Sequence, residues 1–254
     1  MLPFLNDWHF KSASKENRLN DSKNEVLKAF EDYVRTIPAE WNGIECISEM
    51  SESGYSQSMQ AEWAGSYNEF RLRKYLDEHP EASRHIEFYQ DRSRGGIDLD
   101  LRLPSINSYA DVKIHSSASG AVIGNDCRTV DRILDENPDA KIYLLVTDIQ
   151  ARRDRDFDYE TTVFWNNLLH KENRYSYGRR MKHSAAVDKV SLLEINSANR
   201  DRLSLFRQGR NSNGKPRFPK YKINRKDIEA FAVKEWKIPP QTADGREGCQ
   251  NSSS

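Results

Sequence analysis

Three aspartates and a lysine within one short stretch carry the first chemistry legible in this chain. The segment GGIDLDLRLPSINSYADVKIH, Gly95 to His115, contains two strand-like runs on either side of a Pro-Ser-Ile-Asn-Ser bend. Asp is depleted in strands, yet Asp98, Asp100 and Asp111 all fall in these runs. Side chains alternate along a strand. Asp98 and Asp100 therefore share one side, opposite Leu99, Leu101 and Leu103, and Asp111 and Lys113 share a side opposite Val112 and Ile114. If the runs pair as a hairpin, Asp98, Asp111 and Lys113 converge on one face, with Asp100 as an alternative register for the first acid. Hard cations such as Mg²⁺ take carboxylate oxygens and keep several waters. Asp98, Asp111 and the Val112 backbone carbonyl make a candidate Mg²⁺ site. A lysine beside it can orient an attacking water or stabilise charge on a phosphate. Metal ion, water and lysine together are what phosphodiester hydrolysis requires.

The elements that must position these residues follow from periodicity and punctuation. Residues 1–20 read as irregular. DSKNEVLKAFEDYVRTIP reads as a helix, with Ser22 and Glu25 as a capping box and Pro38 as its stop. A short strand is expected at GIECIS. SQSMQAEWAGSYNEFRLRKYLDEHP is a second helix, capped at Ser56 or Ser58 and ended by Pro80. It sets Glu69 on the face that carries Leu72 and Leu76, three and seven residues later. A carboxylate there is costly to desolvate unless a cation answers it. RHIEFYQ reads as a strand, SSASGAVIGNDC as a Gly/Ser loop and RTVDRILDEN as a short helix. KIYLLVTDI is apolar almost throughout, the pattern of a strand covered on both faces. TTVFWNNLLHKEN is a helix candidate, VSLLEIN a strand and KDIEAFAVKEW a final element. The tail from residue 241 to 254 has no core-forming pattern and is expected to be disordered.

The 254-residue chain balances 39 Lys and Arg against 39 Asp and Glu, so net charge selects no partner class. The three cysteines, Cys46, Cys127 and Cys249, form no CxxC pair, which argues against a structural zinc site or a disulfide framework. No apolar run approaches the ~20 residues of a membrane span, and the N-terminus lacks the signature of a signal peptide. The expectation is a cytoplasmic protein that does not engage membranes.

Asp98, twelve intervening residues and then Asp111-Val112-Lys113 resembles the core motif of the PD-(D/E)XK nuclease superfamily, most like its type II restriction endonucleases. The resemblance covers roughly residues 60–150. It includes Glu69, placed like the acidic residue that often lies on a preceding helix, and the helix and buried strand that follow Lys113. The resemblance implies an α/β fold, restriction-endonuclease-like, with a mixed central sheet flanked by helices and a C-terminal elaboration. It implies one nuclease domain over residues 1–240, with its catalytic core about 57–150 and a basic recognition region about 155–237. It also implies roles: Asp98 and Asp111 as Mg²⁺ ligands, Lys113 positioning or activating water, and Glu69 holding a second metal, a metal-bound water or Lys113. Site-specific cleavage of duplex DNA, a homodimer and a partner DNA methyltransferase would accompany a restriction enzyme.

FRQGRNSNGKPRFPKYKINRK supplies a second feature. From Arg207 to Lys226 there are eight Lys or Arg and no Asp or Glu. Arg207, Arg210, Asn211, Asn213, Lys215, Arg217, Lys220 and Lys222 are candidate nucleic-acid contacts, by phosphate neutralisation and base-edge hydrogen bonds. Phe206, Phe218 and Tyr221 are interleaved with them. Ser212-Asn213-Gly214 marks a turn, so a basic hairpin or loop is expected. HKENRYSYGRRMKHS is a second basic and aromatic stretch. Two other functions fit the same residues. One is a related nuclease that cuts transfer RNA, because aromatic residues beside bases suit unstacked RNA. The other is a nucleic-acid-binding module without catalysis, in which the acids form a wet hairpin face.

Overall fold

The computed structural model describes residues 5–55, 63–89, 99–153, 182–210, 214 and 216–239, with side chains from residue 17 onward except at 153 and 182. In chain order the elements are α1 (Leu5–Val34), β1 (Glu40–Asn42), α2 (Gly43–Glu52), α3 (Trp63–Glu78), a single turn α4 (Pro80–Ser83), β2 (Glu87–Phe88), β3 (Leu101–Leu103), β4 (Ser108–Ser116), β5 (Ala121–Asp126), α5 (Cys127–Glu136), β6 (Ile142–Arg153), β7 (Lys182–Ile195), β8 (Ser204–Phe206), β9 (Lys220–Asn224) and β10 (Ala232–Lys237). The fold is mixed α/β.

Among the described residues, seven strands form one sheet in the order β1-β7-β6-β4-β3-β2, with β10 also pairing β7. The β3–β4 hairpin is antiparallel, with Leu101 opposite Ala110 and Leu103 opposite Ser108. β4 and β6 run parallel, with Asp111 opposite Leu144 and Lys113 opposite Val146. Parallel strands need a crossover, here supplied by β5 and α5. A second sheet, β5-β9-β8, is antiparallel throughout.

The apolar run in β6 is covered on both faces, as its composition requires. Tyr143 and Leu145 pack with Phe30, Ile47, Leu72 and Leu76 of α1, α2 and α3. Ile142, Leu144 and Val146 pack on the other side with Val130, Ile133 and Leu134 of α5 and with Val122 and Ile223 of the small sheet. Five of these last side chains, Ile142, Leu144, Val146, Val122 and Val130, show no exposure at all. Both layers therefore close on the strand that flanks β4.

Three local expectations are corrected. Residues 5–20 are helical, because no proline or glycine interrupts the chain from Leu5 to Val34 and the helix runs straight through Ser22. GIECIS is helical, not a strand. Asn42 caps α2, its Oδ1 accepting from the amides of Ile44 (3.0 Å) and Glu45 (3.3 Å), and Cys46, Ile47 and Met50 face inward at helical spacing. The Gly/Ser loop contains β5, because Ala121 to Asp126 finds a partner in β9. Of the described residues after β6, β7 and β10 join the main sheet, while β8 and β9 form the small one with β5. The TTVFWNNLLHKEN helix, the HKENRYSYGRRMKHS stretch up to residue 181 and the tail lie outside the described residues.

One ion pair joins the two sheets. Arg225, just after β9, donates from Nη1 to Asp148 Oδ2 at 2.6 Å and from Nη2 to Asp148 Oδ1. Asp148 lies in β6 and its side chain is 1% exposed. The Arg225 amide also donates to Gly120 O at 3.0 Å. Removing one partner leaves a buried charge unanswered, which costs about 3–5 kcal/mol, whereas replacing both with apolar groups costs much less. Arg225→Ala is expected to lower stability by about 3 kcal/mol in urea unfolding at neutral pH. The double variant Asp148→Leu/Arg225→Met should recover most of that loss, and an equal loss in both would show that desolvated charge is not what the pair answers.

Candidate active site

The site begins where β3 gives way to the bend before it. Asp100 sits one residue ahead of β3 rather than inside the strand. Its Oδ2 accepts from the Val112 amide at 3.1 Å, so the carboxylate takes a backbone donor of the neighbouring strand. Asp111, directly on β4, is 1% exposed. Its Oδ2 is bound by the Lys113 ammonium and by the Asn125 side-chain amide. Lys113 and Asp111 lie two apart on one strand and so share a face. Val112, between them, turns the other way into the core.

Electrostatics follows from crowding two carboxylates out of water. Burial, then the hydrogen bond to Asp111 and that neighbour's charge, push Asp100 up to about 9. Burial also works against ionised Asp111, but the Lys113 charge and the hydrogen bonds from Asp100, Lys113 and Asn125 hold it below the ordinary carboxylate range. Burial and the Asp111 charge thus favour the protonated form of Asp100, while Lys113 and Asn125 favour ionised Asp111. Burial opposes charge on Lys113, yet Asp111, Asp100 and Glu69 keep it an ammonium, above its usual range.

Glu69 reaches the site from α3. Burial raises its pKa first, the Lys113 charge lowers it and the Asp111 charge raises it again, with a net upward shift. Tyr55 Oη donates to Glu69 Oε2 at 3.4 Å. The next residue, Asn68, anchors the helix. It is 1% exposed, its amide donates to Thr147 Oγ1 of β6 at 3.2 Å, and Tyr33 Oη of α1 donates to its backbone carbonyl at 3.2 Å. Thus α1, α3 and β6 are pinned together one residue from Glu69. The leucines expected beside Glu69 are buried, Leu72 fully.

The structure therefore brings together Glu69, Asp111 and Lys113 from the sequence-based set, with Val112 supplying an amide. Asp98 lies outside the described residues; the acid level with Asp111 among the described residues is Asp100. Sequence reasoning missed Tyr55, for which no local signal exists. The stretch that carries Asn125 reads in sequence as a Gly/Ser loop, whereas this side chain is buried and bound to Asp111. Burial alternates along β5 from Ala121 to Gly124 and then breaks, Gly124 and Asn125 both being buried where the pairing with β9 shifts register. Of the basic set, Arg207, Arg210 and Arg217 are exposed, and Lys220 and Lys222 are half-buried on β9. Asn211, Asn213 and Lys215 lie outside the described residues. The small sheet reaches the site directly: β5 carries Asn125, and the Ile123 amide donates to His115 Nε2 of β4 at 3.2 Å.

Carboxylate oxygens are the donor type that a hard dication takes. Two carboxylates meet with a single proton between them, an arrangement whose charge a Mg²⁺ ion would neutralise in that proton's place. Among the described residues no group of three or more His, Cys, Asp or Glu side chains is placed to hold a metal ion, so a dication here would have at most two carboxylates and would depend on waters and backbone oxygens. No family model matches the chain, and neither curated proteins nor solved structures give a match.

A buried acid pair costs stability when both members ionise. The folded-state pKa of Asp100 is raised, so the stability it contributes is complete below its unfolded value of 3.8 and is lost as pH rises towards about 9. In EDTA, Asp100→Asn is expected to melt a few degrees above the wild type at pH 9, with the gap closing towards pH 4. Thermal melts across that range check it, and a variant less stable at every pH would contradict the shared-proton arrangement.

Proposed function

We propose that this chain is a Mg²⁺-dependent endonuclease of the PD-(D/E)XK type, with a restriction-endonuclease-like core, hydrolysing phosphodiester bonds in nucleic acid. The observation that carries the reading is the convergence of Asp100, Asp111 and Lys113 at the β3–β4 hairpin, with Glu69 delivered by α3. Neighbouring strands and an anchored helix hold these groups more narrowly than loops would. Asp100 and Asp111 would hold Mg²⁺, with a backbone oxygen at Val112 and water completing its shell. Bound there, the ion would polarise the phosphate and make water more acidic.

Lys113 has the role of a fixed cation. Held protonated, it stabilises charge as it develops on the phosphate and orients the attacking water, rather than taking a proton. Asn125 fixes the rotamer of Asp111. Glu69, whose pKa is raised by burial, can accept the proton that the water releases or hold Lys113 in place. Site-specific cleavage of duplex DNA is the activity that the resemblance implies. A dimer and a methyltransferase partner belong to that form of the proposal alone.

Incubation with plasmid DNA and with total tRNA, in Mg²⁺ or EDTA, tests the proposal. Wild-type protein should cut in Mg²⁺ only, and Asp111→Ala or Lys113→Ala should lower the rate at least ~1,000-fold, the scale of losing one transition-state contact. Discrete DNA fragments would support the restriction form, and cleavage of tRNA alone would move the protein to the RNA-cutting class. No cleavage of either, with nucleic acid still bound, would leave a binding module. Independently of activity, Mn²⁺ or Mg²⁺ should raise the melting temperature of the wild type and not that of Asp111→Ala.

A further inference from the structure

We propose that the outer face of the β5-β9-β8 sheet is a docking platform for unpaired nucleotides, with phosphates on Lys220 and Lys222 and a base stacked on Phe206. This rests on the nuclease reading for what happens to the strand after it docks, and names the form of nucleic acid that the site takes.

The small sheet has two unlike faces. Strand alternation separates Tyr221 and Ile223 from Lys220 and Lys222. Ile223 is buried in the core with α5, and Tyr221 packs there and donates to Asp131 Oδ1 at 2.8 Å. The register places Phe206 opposite Lys220 and Ser204 opposite Lys222, with Ile123 on the far side of Lys222. Phe206, Lys220 and Lys222 therefore occupy the face turned away from that core.

Exposed apolar surface is concentrated here. Of the four large exposed hydrophobic side chains among the described residues, Phe206 lies on this face and Phe218 just ahead of β9, while Leu205, opposite Tyr221, lies on the other face of the same hairpin. An aromatic ring left in water beside cations is a poor solution for stability alone, and it is what a base-stacking site requires. Phe218, two residues before Lys220, is 50% exposed and carries the Arg128 guanidinium 3.0 Å above its ring centroid. That contact fixes the ring beside a cation, and its exposed part is a surface on which a base can stack.

Charge selects a nucleic acid over an apolar protein partner. Residues 207 to 226 contain no acid, and among the described residues Lys220 and Lys222 enter no salt bridge. Duplex DNA would offer phosphates to the lysines but keep its base faces stacked and closed to Phe206. A single strand, or a nucleotide displaced from a duplex, offers both. β5 joins this face to the site, since it pairs β9 and carries Asn125 to Asp111.

The test is equilibrium binding of fluorescein-labelled 20-mer oligodeoxynucleotides to the full-length protein in EDTA, so that cleavage does not interfere. The arms are a single strand, the matched duplex and the same duplex with a central unpaired bulge. The single strand should bind at least tenfold tighter than the matched duplex, and tighter binding of the bulged duplex would identify displaced nucleotides as a second source. Phe206→Ala should weaken single-strand binding by about tenfold, the scale of one lost base–aromatic stack, with Phe206→Tyr restoring it. Lys220→Ala/Lys222→Ala should reduce the slope of log affinity against log salt by about 1.4, at ~0.7 per phosphate contact. A duplex preference, or no change in Phe206→Ala with its melting temperature intact, would overturn the platform. Loss of Mg²⁺-dependent cleavage with this binding pattern preserved would instead overturn the nuclease reading.

Discussion

Two carboxylates forced out of water beside one ammonium set the terms for the centre of this molecule. Asp111 is nearly inaccessible and its charge needs an answer. Lys113 supplies it from the same strand, Asn125 adds a donor from β5, and Asp100 contributes a proton across the hairpin. Each contribution arrives from a different segment, so the arrangement exists only when those segments are assembled. A site of this kind is expensive to fold around and is the type of local conflict that proteins retain where chemistry is done.

The surrounding architecture reads as support for that centre. β6 is apolar on both faces, which lets helices pack on one side and α5 with the small sheet on the other. β4 borrows rigidity from it through parallel pairing along eight residues, Tyr109 to Ser116. The buried polar contacts are placed economically: Asn68 ties α3 to β6 beside Glu69, and the Arg225–Asp148 pair ties the small sheet to β6. Both are hydrogen-bonded on more than one side, as buried polar groups must be.

The basic hairpin gains meaning from the sheet it joins. As a run of sequence it is a charged segment with aromatic residues. In the fold its strand β9 is bonded to β5, and β5 touches both His115 and Asp111 of β4. The basic hairpin and the pair of acids are thus parts of one hydrogen-bonded assembly.

Much of this was legible in the chain because it depends on local pattern. The 180° alternation around Asp111 and Lys113, the leucine face that carries Glu69, the helix of α5 and the doubly buried β6 are all consequences of where apolar residues recur. What the chain alone left open was decided by long-range partners. Asp98 and Asp100 have the same parity, so spacing cannot choose between them; the β3–β4 register, which sets Leu101 against Ala110, brings Asp100 level with Asp111. GIECIS became a helix because Asn42 capped it and its apolar residues met α3, and a Gly-containing stretch became β5 because β9 arrived to pair with it. Asn125 and Tyr55 joined the site for the same reason. Hydrophobic periodicity is written within a dozen residues, but the partner of a buried hydrogen bond is selected only when distant segments close on one another.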